Sequence, residues 1–238
     1  AVHPGYGFLA ENADLAQACI DNGLKFIGPK PEHLRMFGDK LVAKRVAVEA
    51  GLQPIPGLSG DVKNVDQVKD FAHQYGYPIM VKAANGGGGR GMRIINDDQQ
   101  LTDEFDQAKD EALKAFGSDE MYVEKDVQHP KHIEVQVIAD EHGHVMHLFE
   151  RDCSVQRRHQ KVIEFALSVV LTPERRVEVC GLAVKLMKSV HYQNAATIEF
   201  LATPDHFYFI EVNPRVQVEH TVTELITGSD IVKVQIVV

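Results

Sequence analysis

Between Phe207 and His220 an aromatic, strand-like run leads straight into Glu211, Asn213, Arg215, Glu219 and His220. Alternate side chains of a strand share a face, which predicts Phe207, Phe209, Glu211 and Asn213 on one side and Tyr208, Ile210 and Val212 on the other. Burying even a neutral polar group without a partner costs about 2–7 kcal/mol, so a carboxylate among aromatics must be paired. Two partners suit Glu211: an internal ion pair with Arg215, or a hard cation such as Mg²⁺ that takes oxygen ligands. Just upstream, Thr197-Ile-Glu199-Phe-Leu201 reads as the antiparallel neighbour across a turn at residues 202–206. If the faces of Glu199 and Glu211 coincide, the carboxylates lie side by side, and one pKa rises unless a cation separates them. That geometry suits Mg²⁺ bridging nucleotide phosphates, with Asn213 as a third oxygen ligand.

Other segments carry compatible chemistry. Gly86 to Gly91 formally contains a G-x-G-x-x-G pattern, but Met92-Arg-Ile-Ile95 after it is strand-like. A dinucleotide fold needs a helix there, and a Walker A loop needs a following Lys-Ser/Thr. A glycine-rich hairpin tip remains, either a ligand-free flexible loop or one whose amides fold over phosphate oxygens, with Lys82 on the strand entering it. His132-Ile-Glu134-Val-Gln136-Val alternates cleanly, sending His132, Glu134 and Gln136 one way and Ile133, Val135 and Val137 to the core. Glu150 to Lys161 packs Arg151, Arg157, Arg158, His159 and Lys161 into an otherwise acidic chain. By spacing alone it fits a solvated face as well as a phosphate or bicarbonate site. The histidines offer no zinc spacing.

These groups need a scaffold. Asn12 caps a predicted helix to Asn22, residues 25–29 read as a short buried strand, and Asp39 to Ala50 is helical. Asn64-Val-Asp-Gln67 has capping-box form before a helix ending at Gly76. Strands follow at 77–84 and 92–95, then a helix over 98–116. Further strands are predicted at 121–124, 132–139, 145–150, 196–201 and 207–212, and Thr172-Pro173 opens a helix running to about residue 192. The mixed element order predicts an α+β fold. With 238 residues, 44% apolar and 25% charged, the chain is ordinary for a globular protein, and a formal net charge of −9 argues against non-specific nucleic-acid or anionic-membrane binding. Three cysteines without metal-ligand spacing fit a reducing compartment, cytoplasmic or mitochondrial matrix. There is no bilayer-spanning apolar run and no secretory signal. The chain opens at Ala1 without an initiator Met and closes in a helix-like run at Val238, as a piece of something longer would.

Taken together, the motifs are similar to those of one family. His3-Pro-Gly-Tyr-Gly-Phe-Leu-Ala-Glu-Asn12, Phe26-Ile-Gly-Pro29, Gly38-Asp-Lys40, Val81-Lys-Ala83 with Gly86 to Met92, His132 to Gln136, Glu150 to Lys161 and Glu211 to His220 occur in order along nearly the whole chain. The chain resembles the biotin carboxylase component of biotin-dependent carboxylases, an ATP-grasp ligase, and its Asn213 to Thr223 run is closest to pyruvate carboxylases. The resemblance implies four parts: residues 1–29 as the tail of an N-terminal domain, 30–53 as a helical connector, 54–126 as a glycine-rich lid subdomain and 127–238 as the main ATP-grasp subdomain.

It also implies a reaction in which MgATP, or MnATP, bicarbonate and biotin on a carrier domain give carboxybiotin, ADP and phosphate through carboxyphosphate. By the same resemblance Lys40, Lys82, the Gly88 and Gly89 amides, His132, Gln156 and His159 would hold ATP, and Glu124, Lys125, Asp126 and Val127 would line the adenine pocket. Glu199, Glu211 and Asn213 would bind the metal. Lys161, Arg215, Gln217 and the Val218 amide would hold bicarbonate, and Glu219 would take its proton. Implied partners are a biotin carrier, a carboxyltransferase and a second copy in a homo-oligomer. Phe165 and Leu167 depart from the family's Glu-Glu-Ala-Pro run, which puts the local loop shape in question, and Asn85 stands where the glycine run usually begins. The resemblance places a first strand before Ala1 and a biotin-contacting arginine after Val238, so poor turnover is expected of these residues alone. Two other functions fit parts of the pattern: another ATP-grasp ligase forming an acyl phosphate, which should lack the Arg215–Glu219 cluster, and an inactive nucleotide-binding module.

Overall fold

The computed structural model describes residues 1–58, 62, 64–83, 92–157 and 160–238. The glycine run with Gly88 and Gly89, Asn85, and His159 lie outside the described residues. The chain opens with helices α1 (Ala13–Asp21), α2 (Pro31–Gly38) and α3 (Lys40–Glu49), then the short strands β1 (Gln53–Pro54) and β2 (Gly57–Leu58). Next come α4 (Val65–Tyr75), β3 (Ile79–Ala83), β4 (Met92–Ile95), α5 (Asp98–Phe116) and β5 (Met121–Lys125). The C-terminal half is β6 (Lys131–Ala139), β7 (Val145–Arg157), β8 (Gln160–Phe165), α6 (Pro173–Ser189), β9 (Asn194–Ala202), β10 (Phe207–Asn213), α7 (His220–Thr227) and α8 (Ile231–Val237). Two compact units result, Ala1–Pro54 with His129–Val238, and Ile55–Gln128. No helix among the described residues is long and apolar enough to cross a membrane.

The larger unit is built on a six-stranded sheet ordered β1-β10-β9-β6-β7-β8, antiparallel except where β1 meets β10. Ile133, Val135 and Val137 of β6 and Ala196, Ile198 and Phe200 of β9 line one face, as period-two alternation requires. Against them pack Ala43 and Ala47 of α3 and Val179, Ala183, Leu186 and Met187 of α6. The opposite face carries the polar partners of those same strands, Glu134, Gln136, Thr197 and Glu199, all buried. The smaller unit is a four-stranded antiparallel sheet, β2-β5-β3-β4, with Val68 and Phe71 of α4 and Leu101 and Phe105 of α5 in its core.

Helix starts follow local chemistry. Asn12, Asn64 and Asp97 each accept a backbone N–H of the first turn through their side chains, and Gly117 ends α5 in the left-handed conformation. Three expectations are corrected. Among the described residues, 25–29 form a single bridge, Val2 to Phe26, rather than a strand, and Pro29 offers no N–H to extend it. The strand expected at 145–150 is longer: β7 continues to Arg157, paired on one side with β6 and on the other with β8. Strict alternation in β10 fails at Ile210, where a bulge falls between Phe209 and Glu211.

The end of β8 at Phe165 and the loop after it, with the departures at Phe165 and Leu167, are fastened by Ser168. Its N–H donates to Glu150, its hydroxyl to Asp152, and its carbonyl accepts from Arg176. The Ala166–Leu167 peptide is cis. Phe200 is fully buried and meets the rings of Phe207 and Phe209 edge-on. Phe200→Ala should therefore lower unfolding free energy by about 3–5 kcal/mol, read from urea denaturation.

Candidate functional site

The bulge at Ile210 creates the site's first feature. Pairing runs Phe209 to Phe200 and then Glu211 to Glu199, so the extra residue turns Glu211 off the aromatic face. Phe207, Phe209 and Val212 remain in the core, while Glu211 and Asn213 lie opposite Glu199 and Thr197. The two acids are therefore direct cross-strand neighbours, the arrangement in which like charges repel. Burial, and then the negative charge of Glu199, hold the Glu211 carboxyl above its ordinary range. Lys40, at the start of α3 behind its Asp39 cap, offers only partial relief at 3.8 Å.

Glu199 is held much more firmly. One oxygen accepts from Lys161 at 2.9 Å, Asn213 Nδ2 at 2.8 Å and Gln217 Nε2 at 3.1 Å. The other accepts from His132 Nε2 at 2.7 Å. The amide of Gln156 donates to His132 Nδ1 at 2.9 Å, which leaves the ring proton on Nε2, directed at Glu199. Burial pushes the Glu199 pKa up, but His132 and Lys161 outweigh it and bring it down to about 2.

Lys161 binds three carboxylates at once: Glu134, Glu199 and Glu219. An ammonium has three N–H donors, so all are committed. Burial alone would lower its pKa, yet the charges of Glu134 and Glu199 hold it above the ordinary lysine range. Glu219 occupies the N-cap position of α7 but makes no cap bond, since its side chain is turned to Lys161 at 2.8 Å. Burial opposes ionisation of Glu219, while the Lys161 hydrogen bond and charge depress its pKa.

Behind Lys161 sits Arg151, fully buried on β7. Its five N–H groups reach Glu134, Gln136, Thr223, Thr197 and Gln217. Gln217 in turn donates to Glu199. At the rim, Arg215 bonds Asn213 Oδ1 at 3.0 Å and the Val216 carbonyl at 3.3 Å, and pairs with Glu11 at 3.2 Å. The neighbouring Val218 is exposed.

Donor chemistry decides where a metal fits. His132, Glu134 and Glu199 bring potential ligand atoms within 4.8 Å of one another, but the Lys161 ammonium already bonds both acids. The Glu199–Glu211 pair differs, since Glu211 has no cation in hydrogen-bonding contact among the described residues and its ionisation is opposed by Glu199. A divalent ion there would relieve that repulsion, so the pair fits the hard-cation chemistry expected of it. Asn213 is adjacent, with its amide nitrogen on Glu199 and its oxygen on Arg215.

In the smaller unit Lys82 of β3 is ion-paired with Glu124 of β5. Lys125 donates to the carbonyls of Gly76 and Tyr77, and Asp126 accepts from Gln128 through its side chain. Val127 follows β5 and is half-buried. The structure thus brings Lys40, His132, Gln156, Lys161, Glu199, Glu211, Asn213, Arg215, Gln217 and Glu219 together in the larger unit. Sequence reading named Arg151 only as one of a basic run and gave Glu134 and Glu11 no role in the site. Glu134 could have been found from its alternation with His132 and Gln136, but Arg151 and Glu11 required strand register and tertiary contact.

Comparison with known proteins adds independent findings. Residues 39–238 match the family described as carbamoyl-phosphate synthase L chain, ATP binding domain, and residues 1–34 match the biotin carboxylase N-terminal domain. Pyruvate carboxylase of Staphylococcus aureus (strain Mu50 / ATCC 700699) is 58% identical over 238 residues, which is 100% of this chain and 21% of that protein. The biotin carboxylase domain of a thermophilic 2-oxoglutarate carboxylase bound to bicarbonate superposes with a TM-score of 0.92 at 47% identity, covering 98% of this chain and 51% of that one. The Hydrogenobacter thermophilus 2-oxoglutarate carboxylase biotin carboxylase domain dimer, in complex with MgADP, ADP and bicarbonate, gives 0.82 at 49% identity, covering 98% and 52%. The chain spans about a fifth of the length of the curated relatives it matches.

The Glu199 pKa near 2 lies below its ordinary value of 4.5, so the ionised carboxylate stabilises the fold above about pH 4.5 and ceases to do so as pH falls towards 2. Glu199→Gln should therefore be less stable than wild type at pH 7, and the gap should narrow steadily across that acidic window in urea titrations. A gap independent of pH would contradict the charge assignment.

Proposed function

The chain belongs to the ATP-binding-domain family of the carbamoyl-phosphate synthase L chain, an ATP-grasp family, and from that premise we propose that it performs the biotin carboxylase half-reaction. The observation that supports this most is the adjacency of two unlike subsites. A carboxylate pair suited to a metal–phosphate complex, Glu199 and Glu211, lies beside a fixed cationic group suited to a small planar anion, Lys161 with Arg215. ATP cleavage and anion activation belong together only where a phosphoryl group is passed to the anion.

In this reading Mg²⁺ at Glu199 and Glu211 would neutralise nucleotide phosphate charge. His132, made a donor to Glu199 by Gln156, would hold that carboxylate in place. Lys40 is close enough to Glu211 to meet a phosphate oxygen there, and in the smaller unit Lys82 and the segment Glu124 to Val127 are proposed nucleotide contacts. Arg215, anchored by three contacts, keeps two N–H donors for bicarbonate, with Gln217 and the Val218 amide as further donors, while Lys161, its N–H groups committed to three carboxylates, would contribute positive charge. Glu219 remains ionised beside Lys161 and would take the bicarbonate proton, so that a bicarbonate oxygen attacks the γ-phosphorus as ADP departs and carboxyphosphate forms. Biotin on a carrier domain would supply the ureido nitrogen that receives the carboxyl group. A carboxyltransferase completes the reading, with pyruvate as acceptor because the relatives matched along the whole chain are pyruvate carboxylases. Pairing of two copies is proposed on the precedent of the dimeric neighbour, and a reducing compartment on the free Cys19, Cys153 and Cys180.

The test is phosphate release from MgATP together with transfer of labelled bicarbonate carbon to biotin by the full-length protein in which these residues occur; phosphate release indifferent to bicarbonate would refute the proposal. Glu211→Gln should lower metal-dependent ATP cleavage by about 10²-fold or more while the melting temperature holds. Arg215→Ala should raise the bicarbonate KM by about tenfold, the loss of one charge-assisted contact, and move the ATP KM less than twofold.

A further inference from the structure

Arg151 has no role in the reading above, yet its environment is tightly constrained. The guanidinium is 0% exposed, and each of its five N–H groups is used once. The acceptors come from β6 (Glu134, Gln136), β9 (Thr197), the segment after β10 (Gln217) and α7 (Thr223). Glu134, Gln136, Thr197 and Thr223 are themselves fully buried, so none can turn to water if the donor is lost.

Two of these contacts lead onward into the site. Glu134 accepts from Arg151 with one oxygen and from Lys161 with the other. Gln217 accepts from Arg151 at 2.9 Å through its oxygen and donates to Glu199 at 3.1 Å through its nitrogen. The first path ends on the ammonium proposed to meet bicarbonate, the second on a carboxylate proposed to meet the metal. Because the amide of Gln217 must present its oxygen to Arg151, its nitrogen is obliged to face Glu199, so the guanidinium also sets the amide's orientation. A bulky apolar side chain would fill the same volume but fix neither path.

We propose that Arg151 is a positioning residue that sets Lys161 through Glu134 and Glu199 through Gln217, so that one buried guanidinium aligns the anion subsite and the metal subsite together. This rests on the biotin carboxylase reading for the identity of the anion and the metal, but not for the geometry. Arg151→Lys keeps the charge and loses the planar fork: three N–H groups cannot serve five acceptors on four chain segments. Thr223→Val keeps volume and removes one acceptor only.

The test uses the full-length protein in which these residues occur, and two readouts. In steady-state assays Arg151→Lys should raise the bicarbonate KM by about tenfold and lower kcat by a similar factor, against less than a threefold change in the ATP KM, since a contact to a charged group is worth about 1.5–3 kcal/mol. Without turnover, Mn²⁺ binding followed by the electron spin resonance of the free ion should weaken by about threefold or more. Thr223→Val should move both quantities the same way by about two- to threefold, and it decides the matter if Arg151→Lys does not fold. A purely structural residue would lower the melting temperature and leave the KM values and Mn²⁺ affinity of the folded protein unaltered; folded variants within twofold of wild type in both readouts would overturn the proposal. If wild type shows no bicarbonate-dependent cleavage, the functional reading fails while Mn²⁺ binding still tests the positioning.

Discussion

The larger unit depends on neutralising acids that its own sheet buries. Glu134 and Glu199 sit on adjacent strands, directly opposite one another in register, where two carboxylates could not both ionise alone. Arg151 and Lys161 make that possible, one from below with five bonds and one from the rim with three. Removing either cation would leave a buried charge uncompensated, a loss that commonly costs about 3–5 kcal/mol. The network is thus a structural obligation created by placing reactive groups on a sheet face rather than on loops. Its return is rigidity: the groups proposed to meet phosphate and bicarbonate have little freedom to reorganise.

Charge is distributed unevenly across that face, and the imbalance has a direction. Around Lys161 every donor is matched, and the acids there are held ionised, as the depressed pKa values of Glu199 and Glu219 express. At Glu211 the balance reverses, because burial and Glu199 oppose its ionisation and Lys40 is farther than a hydrogen bond. Glu211, short of a cation among the described residues, is the acid whose strand bulges to face its neighbour. This places the demand for an external cation at the edge of the network, beside Arg215, instead of within it.

Local signals carried a good part of the fold. Caps at Asn12, Asn64, Asp97 and Thr172 mark helix starts because a short polar side chain can satisfy first-turn N–H groups without tertiary help. The alternation of His132 to Val137 assigns faces for the same reason: period two is a property of the strand itself. Residues 25–29 and the length of β7 differ from expectation because pairing depends on what lies alongside. Among the described residues Lys25 to Pro29 pairs with Val2 alone, whereas Arg151 to Arg157 reads as a basic run and is a strand that starts against β6 and runs on against β8.

For the site, the sequence alone determined which chemical groups are present and, through ordered motifs, the family to which they belong. It could not determine their convergence. Uniform alternation assigned Glu211 to the face of Phe209, and one extra residue at Ile210 reversed that assignment. Arg151 reads as one basic residue among several until register sets it opposite Glu134 and folding brings Gln217 and Thr223 from far along the chain. Residue types and local periods are written in the chain because they depend on covalent neighbours; bulges, register and the pairing of buried charges are settled only when distant segments compete for the same hydrogen bonds.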